Sequence, residues 1–348
     1  MPSRKTTSAA STRRTRATGR VTLADVAAAA GVSPITVSRA LRGERAVGAE
    51  LVERVQAAAK ALGYVPDPAA RALASSRSSH VAVIIPKLSN TVFVELLDAL
   101  QRNFVAAGYQ MLIGVTHYDA DEEEAVLRSF LAHRPAGVIL TGFERSPGAA
   151  ALIAGSGVPC VHVMELADDA ALYSVGFSQR EAGKAMTHHL LDSGRRRVAY
   201  AAAQLDPRTL QRCDGYEAAM QEVGLAGHMH KLLSPEPSSL ALGGQLLEQV
   251  LRDAPETDAI FFCNDDLAQG ALLAALRLGI PVPERVAIAG FNDLPGSALM
   301  VPPLTTVATP RREMGERAAQ MLMALMRGNP VEQPQLDLGF QVVKRASA

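Results

Sequence analysis

The stretch LADVAAAAGVSPITVSRAL, residues 23–41, predicts two short helices joined by a sharp turn. The first should cover about Leu23–Ala30 and end at Gly31, since glycine turns the chain without steric cost. The second should cover about Pro34–Leu41, because Ser33 is a natural N-cap and proline suits the first helical position. This spacing is that of a helix-turn-helix.

The side chains of this stretch divide into a buried set and an exposed set. The residues that would form the shared core are apolar or small: Val26, Ala27, Ala30, Val37 and Leu41. Ile35, Thr36 and Arg39 are left on the outward face of the second helix, where the bases of a DNA major groove would lie. We therefore predict a DNA-binding module rather than a helical hairpin without a role in DNA binding.

The formal net charge of zero conceals a strongly basic head. Residues 1–80 carry thirteen Lys and Arg but only five Asp and Glu, a net charge of +8, which leaves −8 on the remaining 268 residues. The Ser-, Thr-, Arg- and Ala-rich composition of 1–19 predicts a disordered basic arm. A basic head on an acidic body is typical of a nucleic-acid-binding module joined to another domain.

Beyond the helix pair, a third helix is predicted over about 49–62 and a Ser-rich linker around 75–79. From residue 80 onward, strand patterns alternate with helix patterns. Strands are predicted at 81–86, 109–115, 137–141, 160–164, 198–202, 259–263 and 286–290, and helices at 93–107, 122–133, 181–193, 215–223, 240–252 and 267–278. This alternation predicts an α/β core of two lobes built on parallel sheets. Ligands of such sheets bind beyond the carboxyl ends of the strands, so we expect a binding cleft.

Composition and motifs argue against several other classes of protein. The chain is 48% hydrophobic with no Trp, an ordinary globular composition, and no apolar run of about 18 residues predicts a membrane-spanning helix. Cys160, Cys213 and Cys263 are far apart and odd in number, which argues against disulfides and zinc. Nucleotide-binding glycine motifs and hydrolase motifs are absent from the sequence. We expect no enzyme activity, no cofactor, no metal and no membrane partner, and the basic N-terminus lacks the features of a secretory signal, which favours the cytoplasm.

A series of short motifs occurs in order over about residues 20–345: Thr22-Leu-Ala-Asp-Val-Ala, Thr36-Val-Ser-Arg, Gly63-Tyr-Val-Pro, Pro303-Leu-Thr-Thr and Met314-Gly. With these motifs the chain resembles the LacI/GalR family of bacterial transcription regulators. Other motifs are similar to those of gluconate-operon repressors within the family: Val175-Gly-Phe, Gly215-Tyr-Glu-Ala-Ala-Met and Thr309-Pro-Arg.

The resemblance implies a domain order. A helix-turn-helix domain would occupy 20–66, a hinge helix and linker 67–79, and a core like that of periplasmic binding proteins 80–345. The first lobe of the core would comprise about 80–178 and 309–335, and the second about 179–308 and 336–345. Only eight residues follow Phe340, without the Leu-rich tetramerisation helix of some members, so we expect a homodimer.

The resemblance also implies how DNA is bound. The expected contact residues on the helix-turn-helix are Thr22, Ser33, Pro34, Ile35, Thr36, Ser38 and Arg39. Ile35 would contact a thymine methyl, and Arg39 would bind guanine through two hydrogen bonds. Leu73 takes the position of the hinge leucine that wedges into the minor groove at the centre of a pseudo-palindromic operator.

An effector site follows from the resemblance together with the predicted strand ends. Its expected residues are Lys87, Phe93, Glu165, Arg208, Arg212, Asn264, Asn292 and Thr309. Arg212 matches the cation of the family's ligand site, and Arg208 lies one helical turn earlier, so both could grip a carboxylate. Side chains that follow the strands, such as Asn264 and Asn292, suit hydroxyl groups. Gluconate or a close sugar acid is therefore the expected effector.

Two alternatives stay open at this stage. A regulator of the same family could respond to another sugar or to a sugar phosphate. A solute-binding protein without a regulatory role would share the two-lobed core, but it would have no use for a basic helix-turn-helix.

Overall fold

The computed structural model describes residues 21–41, 47–65 and 78–348, and the chain divides after Arg77 into two compact units. The described part of the first unit contains α1 (Leu23–Ala30), α2 (Pro34–Leu41) and α3 (Ala49–Ala61). The three helices predicted for this region are confirmed. The predicted basic arm over 1–19, and the hinge segment that includes Leu73, lie outside the described residues.

Local contacts explain why α1 and α2 form where the sequence predicts them. The Thr22 side chain accepts a hydrogen bond from the Asp25 amide, and the Asp25 carboxylate accepts one from the Thr22 amide at 2.9 Å, so the capping box is complete. Gly31 follows α1 with φ of 65°, a conformation that glycine adopts without strain. Val26 and Val37 are fully buried in the core of the unit.

The second unit alternates strands with helices. Its helices are α4 (Val94–Ala106), α5 (Ala120–Ala132), α6 (Pro147–Ser156), α7 (Gln179–Asp192), α8 (Pro207–Glu222), α9 (Leu240–Asp253), α10 (Asp265–Leu278) and α11 (Arg311–Met326). Its strands are β1 (His80–Ile85), β2 (Gln110–Val115), β3 (Gly137–Thr141), β4 (Cys160–Val163), β5 (Ser174–Gly176), β6 (Val198–Ala203), β7 (His230–Ser234), β8 (Ala259–Phe262), β9 (Ala287–Ala289), β10 (Thr306–Ala308), β11 (Gln335–Asp337) and β12 (Gln341–Val343).

Two parallel sheets define the two lobes of this unit. The first lobe holds six strands in the order β11-β5-β4-β3-β1-β2, and the second holds four in the order β7-β6-β8-β9. Every neighbouring pair within these sheets is parallel, and β10 pairs with β12 antiparallel in a third, two-stranded sheet. All six residues of β6 are buried, as expected for a strand covered by helices on both faces. The predicted α/β core of parallel sheets is confirmed.

The chain passes between the lobes three times. It leaves the first sheet after β5, returns after β10 into α11, and leaves again after β11. Strand β11 pairs with β5 as far as Asp337 opposite Gly176, and the Leu338 amide donates to the Gly176 carbonyl at 2.9 Å. Because this pairing extends the first lobe, its last segment ends a few residues beyond the predicted boundary at 335.

Several elements of the core have no predicted counterpart, namely α6, α11, β5, β7, β10, β11 and β12. Helix α8 begins at Pro207, whereas the apolar pattern predicts a start at 215. Its first half includes buried polar residues such as Arg208 and Arg212, so the apolar periodicity that marks a helix is missing there. Asp206 caps this helix and Pro207 occupies its first position, and both are signals that the sequence carries. Among the described residues, we find no helix with the length and apolar character needed to span a bilayer.

Candidate DNA-binding face and effector cavity

Helix α2 presents exposed side chains at the predicted DNA-contact positions. Pro34, Ile35 and Arg39 are exposed, and 65% of the Ile35 surface is accessible. Thr36 and Ser38 are half-buried. Within the described residues, the core of the three-helix unit is formed by other side chains.

Hydroxyl side chains form hydrogen bonds at the N-termini of α1 and α2. Ser33 accepts a hydrogen bond from the Thr36 amide at 3.2 Å, and its Oγ lies 2.8 Å from the Thr36 Oγ1. Thr22 donates its hydroxyl to the Asp25 carboxylate at 2.7 Å. Ser33 and Thr22 therefore position the two helices, and any contact they make with DNA would be additional to this role.

A cavity lies at the carboxyl ends of the strands of both lobes of the second unit. Six of the eight predicted effector residues line it: Lys87, Phe93, Arg208, Arg212, Asn264 and Asn292. Lys87 follows β1, while Asn264 and Asn292 follow β8 and β9. This is the place where parallel α/β sheets bind ligands.

Close packing of two helices brings the arginines into the cavity. A side chain at Gly183 of α7 would collide with the backbone of Arg212, and one at Gly215 of α8 would collide with the backbone of Arg180. Glycine at both positions lets α7 and α8 lie against each other, which fixes the start of α8 over the second sheet. Arg208 and Arg212 lie one turn apart on this helix, and each is 7% exposed.

The two arginines have different partners. The Arg208 Nε lies 3.3 Å from the Asp206 carboxylate and 3.8 Å from the Glu165 carboxylate. Arg212 instead donates from Nε to the Arg208 carbonyl at 3.0 Å and from Nη1 to the Cys263 carbonyl. Among the residues that the structure describes, no carboxylate forms an ion pair with Arg212. Its charge is therefore available to an anionic ligand.

Burial and charge shift the pKa values around Arg208 in opposite directions. Burial opposes ionisation of Asp206, but Arg208, Arg212 and the Thr209 amide outweigh it and lower the pKa of Asp206. For Glu165, burial dominates over the attraction of Arg208 and raises the pKa. Burial also raises the pKa of Asp266, a half-buried cavity residue. The cavity thus combines an unpaired cation with a carboxyl group that accepts a proton more readily than usual.

Two predicted effector residues lie elsewhere. Glu165 lines an adjoining cavity together with Arg145 and Arg208. Thr309 does not line the cavity of Arg212, and its hydroxyl instead accepts a hydrogen bond from Arg311 at 3.0 Å. A contact of either residue with the effector stays a prediction, since proximity to a strand end or a lobe crossing does not determine which way a side chain points.

The two asparagines of the cavity are held differently. Asn264 caps α10 by accepting from the Leu267 amide at 3.1 Å, while its side-chain nitrogen donates to Ser238 at 2.7 Å. Asn292 has a φ of 111°, and its amide donates to the Val307 carbonyl at 2.9 Å. Capping therefore accounts for part of the role of Asn264, while no side-chain hydrogen bond holds Asn292 within the described residues.

The sequence analysis missed several polar residues that line the cavity: Asn90, Tyr118, Gln179, Gln204, Asp206, Ser238 and Asp266. Gln179 is 3% exposed and donates its side-chain nitrogen to the Met164 carbonyl at 2.8 Å. Its buried side-chain oxygen has no partner within the described residues. A buried unpaired acceptor is costly, so Gln179 is suited to a ligand hydroxyl. Only the position of Gln179 just after β5 and the N-cap Ser178 could have indicated it.

A buried carboxylate positions the loop that carries Asn292. Asp265 is fully buried and accepts hydrogen bonds from the Leu294 amide at 2.7 Å and from the hydroxyls of Ser297 and Thr306, both at 2.6 Å. These bonds join the start of α10 to the segment after β9 and to β10. They hold the second-lobe wall of the cavity in place.

Residues 22–67 match the family described as bacterial regulatory proteins, lacI family, and residues 187–348 match the periplasmic binding protein-like domain. The HTH-type transcriptional regulator GntR of Pseudomonas aeruginosa is 52% identical over 96% of this chain and 97% of its own length. The regulator GntR of Escherichia coli K12 is 37% identical over 92% of this chain and 96% of its own.

Solved structures agree with these matches. The transcription regulator GntR from Chromobacterium violaceum has a TM-score of 0.75 and 48% identity over 77% of this chain and 98% of its own. The lac repressor dimer bound to operator and an anti-inducer has a TM-score of 0.83 and 26% identity over 94% of this chain and 99% of its own. A helix-turn-helix followed by a two-lobed core with a cavity defines a DNA-binding transcriptional regulator. The chain belongs to the lacI family of bacterial regulatory proteins.

Proposed function

We propose that the protein represses a sugar-acid catabolic operon and that gluconate, or a close sugar acid, releases it from its operator. The observation that carries this proposal is Arg212, a buried guanidinium in the cavity whose hydrogen bonds within the described residues go only to carbonyl groups. Arginine binds a carboxylate through two parallel hydrogen bonds. The GntR names of the relatives agree with the resemblance to gluconate-operon repressors.

Hydroxyl groups of such a ligand have suitable partners in the same cavity. Gln179 offers an unpaired acceptor, and Asn292 offers a side-chain amide. An amide at 292 does not repel an anionic ligand. We therefore place the carboxylate at Arg212 and the hydroxyls along Gln179 and Asn292, with Lys87, Phe93, Arg208 and Asn264 completing the site. The protein binds its effector without chemical conversion.

On DNA, we propose that two copies bind a pseudo-palindromic operator in the cytoplasm as a homodimer. Each helix-turn-helix would place α2 in the major groove of one half-site, with Ile35 and Arg39 at the bases. Leu73 of each copy would form the minor-groove wedge, whose cost of unstacking is recovered through contacts with the bent DNA. The relative of known structure that is bound to operator is a dimer.

The proposal is tested by titration calorimetry with gluconate and glucose and by operator release in a fluorescence anisotropy assay. Gluconate should bind at least about tenfold more tightly than glucose, the equivalent of 1.4 kcal/mol, because only gluconate carries the carboxylate. Arg212→Met should remove this preference. Arg285→Met is the matched control, since Arg285 also donates to carbonyl groups, those of Thr257 and Pro255, but lies outside the cavity. Tighter binding of glucose, or unchanged gluconate binding by Arg212→Met, would refute the sugar-acid assignment.

A further inference from the structure

Arg311 connects the two lobes next to the effector cavity. It is the first residue of α11, directly after the chain returns from the second lobe to the first, and it is 5% exposed. Helix α11 lies closely against α4 of the first lobe, since a side chain at Gly315 would collide with the Leu96 carbonyl and the Ala99 side chain. The start of α11 is thereby fixed on the first lobe.

The guanidinium of Arg311 contacts both lobes at once. On the first lobe, its Nη2 lies 3.1 Å from the Glu95 carboxylate and its Nε donates to the same oxygen at 3.2 Å. On the second lobe, it donates to the carbonyl of Asn292 and, from Nη2 at 3.2 Å, to the carbonyl of Asp293. One buried cation therefore joins α4 to the loop that follows β9.

The loop that Arg311 contacts carries the cavity residue Asn292. Asn292 and Asp293 have φ values of 111° and 51°, a conformation that non-glycine residues rarely adopt. The Asp293 carboxylate also pairs with Arg345 at 2.8 Å. The two arginines help to hold this strained conformation, together with the bond from the Leu294 amide to Asp265.

We propose that Arg311 is a positioning residue that couples the cavity to the orientation of the lobes, with Glu95 as its anchor on the first lobe. A ligand that binds the Asn292 side chain acts on a loop whose carbonyl groups are held from the other lobe. A change in lobe orientation moves Arg311 and Glu95 relative to that loop, and so it alters the same contacts from the first lobe. The idea rests on the proposed effector-dependent release from DNA, and it adds the residues that transmit the signal.

Glu95→Gln tests the coupling because it weakens the first-lobe end of the link and leaves the second-lobe contacts of Arg311 intact. The quantity measured is the ratio of operator Kd values with and without saturating gluconate. We expect Glu95→Gln and Arg311→Lys to lower this ratio about fivefold or more, within the usual range of allosteric coupling. Asp98→Asn is the matched control, since Asp98 lies one turn along α4 and pairs with the exposed side chains of Arg102 and Arg312. Wild-type ratios in both test variants would overturn the proposal.

A second measurement separates this idea from the identity of the effector. If gluconate does not change operator binding by the wild-type protein, the proposed function fails, but the link can still be tested without any ligand. Hydrogen–deuterium exchange of the effector-free protein should be faster at residues 292–295 in Arg311→Lys than in wild type or in Asp98→Asn. Equal exchange in all three would show that Arg311 does not position the loop.

Discussion

The Arg212 guanidinium lies over the ring of Phe291, with its central carbon 4.3 Å from the ring centroid. Phe291 is 1% exposed and directly precedes Asn292, so the cation rests on the same segment that carries the amide of the cavity. Together with the carbonyl groups of Arg208 and Cys263, the ring fixes the guanidinium before any ligand arrives. A cation held in advance loses little freedom on binding, which favours affinity.

Phe291→Leu should weaken gluconate binding while leaving Arg212 in the chain. Loss of a buried cation–π contact costs about 0.5–2 kcal/mol, which corresponds to a Kd increase of roughly 2- to 30-fold. Calorimetry on the purified variant measures this change in the Kd for gluconate. Phe104→Leu is the control, because Phe104 is fully buried in the first lobe and does not line the cavity. If both variants lose the same affinity, general destabilisation rather than the ring accounts for the loss.

Asp266 should make gluconate binding depend on pH. Burial raises the pKa of its carboxyl group, and a bound anion would further favour the protonated form. Binding then takes up a proton, so affinity should fall as pH rises through the pKa of Asp266. A calorimetric series over the pH range in which this carboxyl group titrates follows the change.

The control for this pH dependence is Asp266→Asn, which should bind gluconate more tightly and with a flatter pH profile. The pKa of Glu165 in the adjoining cavity is also raised, so the difference between wild type and Asp266→Asn isolates the contribution of Asp266. An unchanged profile in the variant would assign the dependence to another group.

The elements that can be predicted from the sequence are those marked by helix-capping residues or by a regular spacing of apolar residues. The helices of the first unit form from local signals, such as the Thr22 and Asp25 capping box and Gly31. The cavity residues that were predicted, such as Asn264 and Asn292, follow strands whose apolar runs are plain in the sequence. Such patterns do not predict the direction in which those side chains point.

The remaining features depend on contacts between distant parts of the chain. Arg311 contacts Glu95, 216 residues earlier, and no local pattern marks that pair. Gln179 is a buried polar residue at the first position of α7, where no apolar period marks it as part of a cavity. Glu165 follows a strand as Asn264 does, yet it lines the neighbouring cavity, and no local pattern marks that difference.

His162 should make folding stability depend on pH. It is 4% exposed, its Nδ1 lies 2.8 Å from the Gly142 carbonyl, and burial lowers its pKa to about 4. Between the ordinary value of about 6.5 and this value, the unfolded chain binds a proton that the folded chain does not. Stability should therefore fall as pH decreases from about 6.5 to 4, by up to about 3 kcal/mol in total.

Urea unfolding of wild type and His162→Gln across this range measures that contribution. The variant should lose less stability than wild type on acidification. His189, whose pKa burial also lowers, acts in the same direction in both proteins and cancels in the comparison. Parallel curves for wild type and variant would show that His162 is not the titrating group.

Arg39 should distinguish operator DNA from other DNA. It is exposed on α2, four residues after Ile35, on the face that a major groove would meet. If it binds a guanine through two hydrogen bonds, Arg39→Ala should cost about 1–3 kcal/mol on the operator and less on random duplexes. Fluorescence anisotropy at fixed salt measures both affinities, since the phosphate contribution changes with ionic strength. Arg54→Ala, which removes an exposed positive charge from α3, controls for general electrostatic loss. Equal losses on the two DNAs would reduce Arg39 to a phosphate contact.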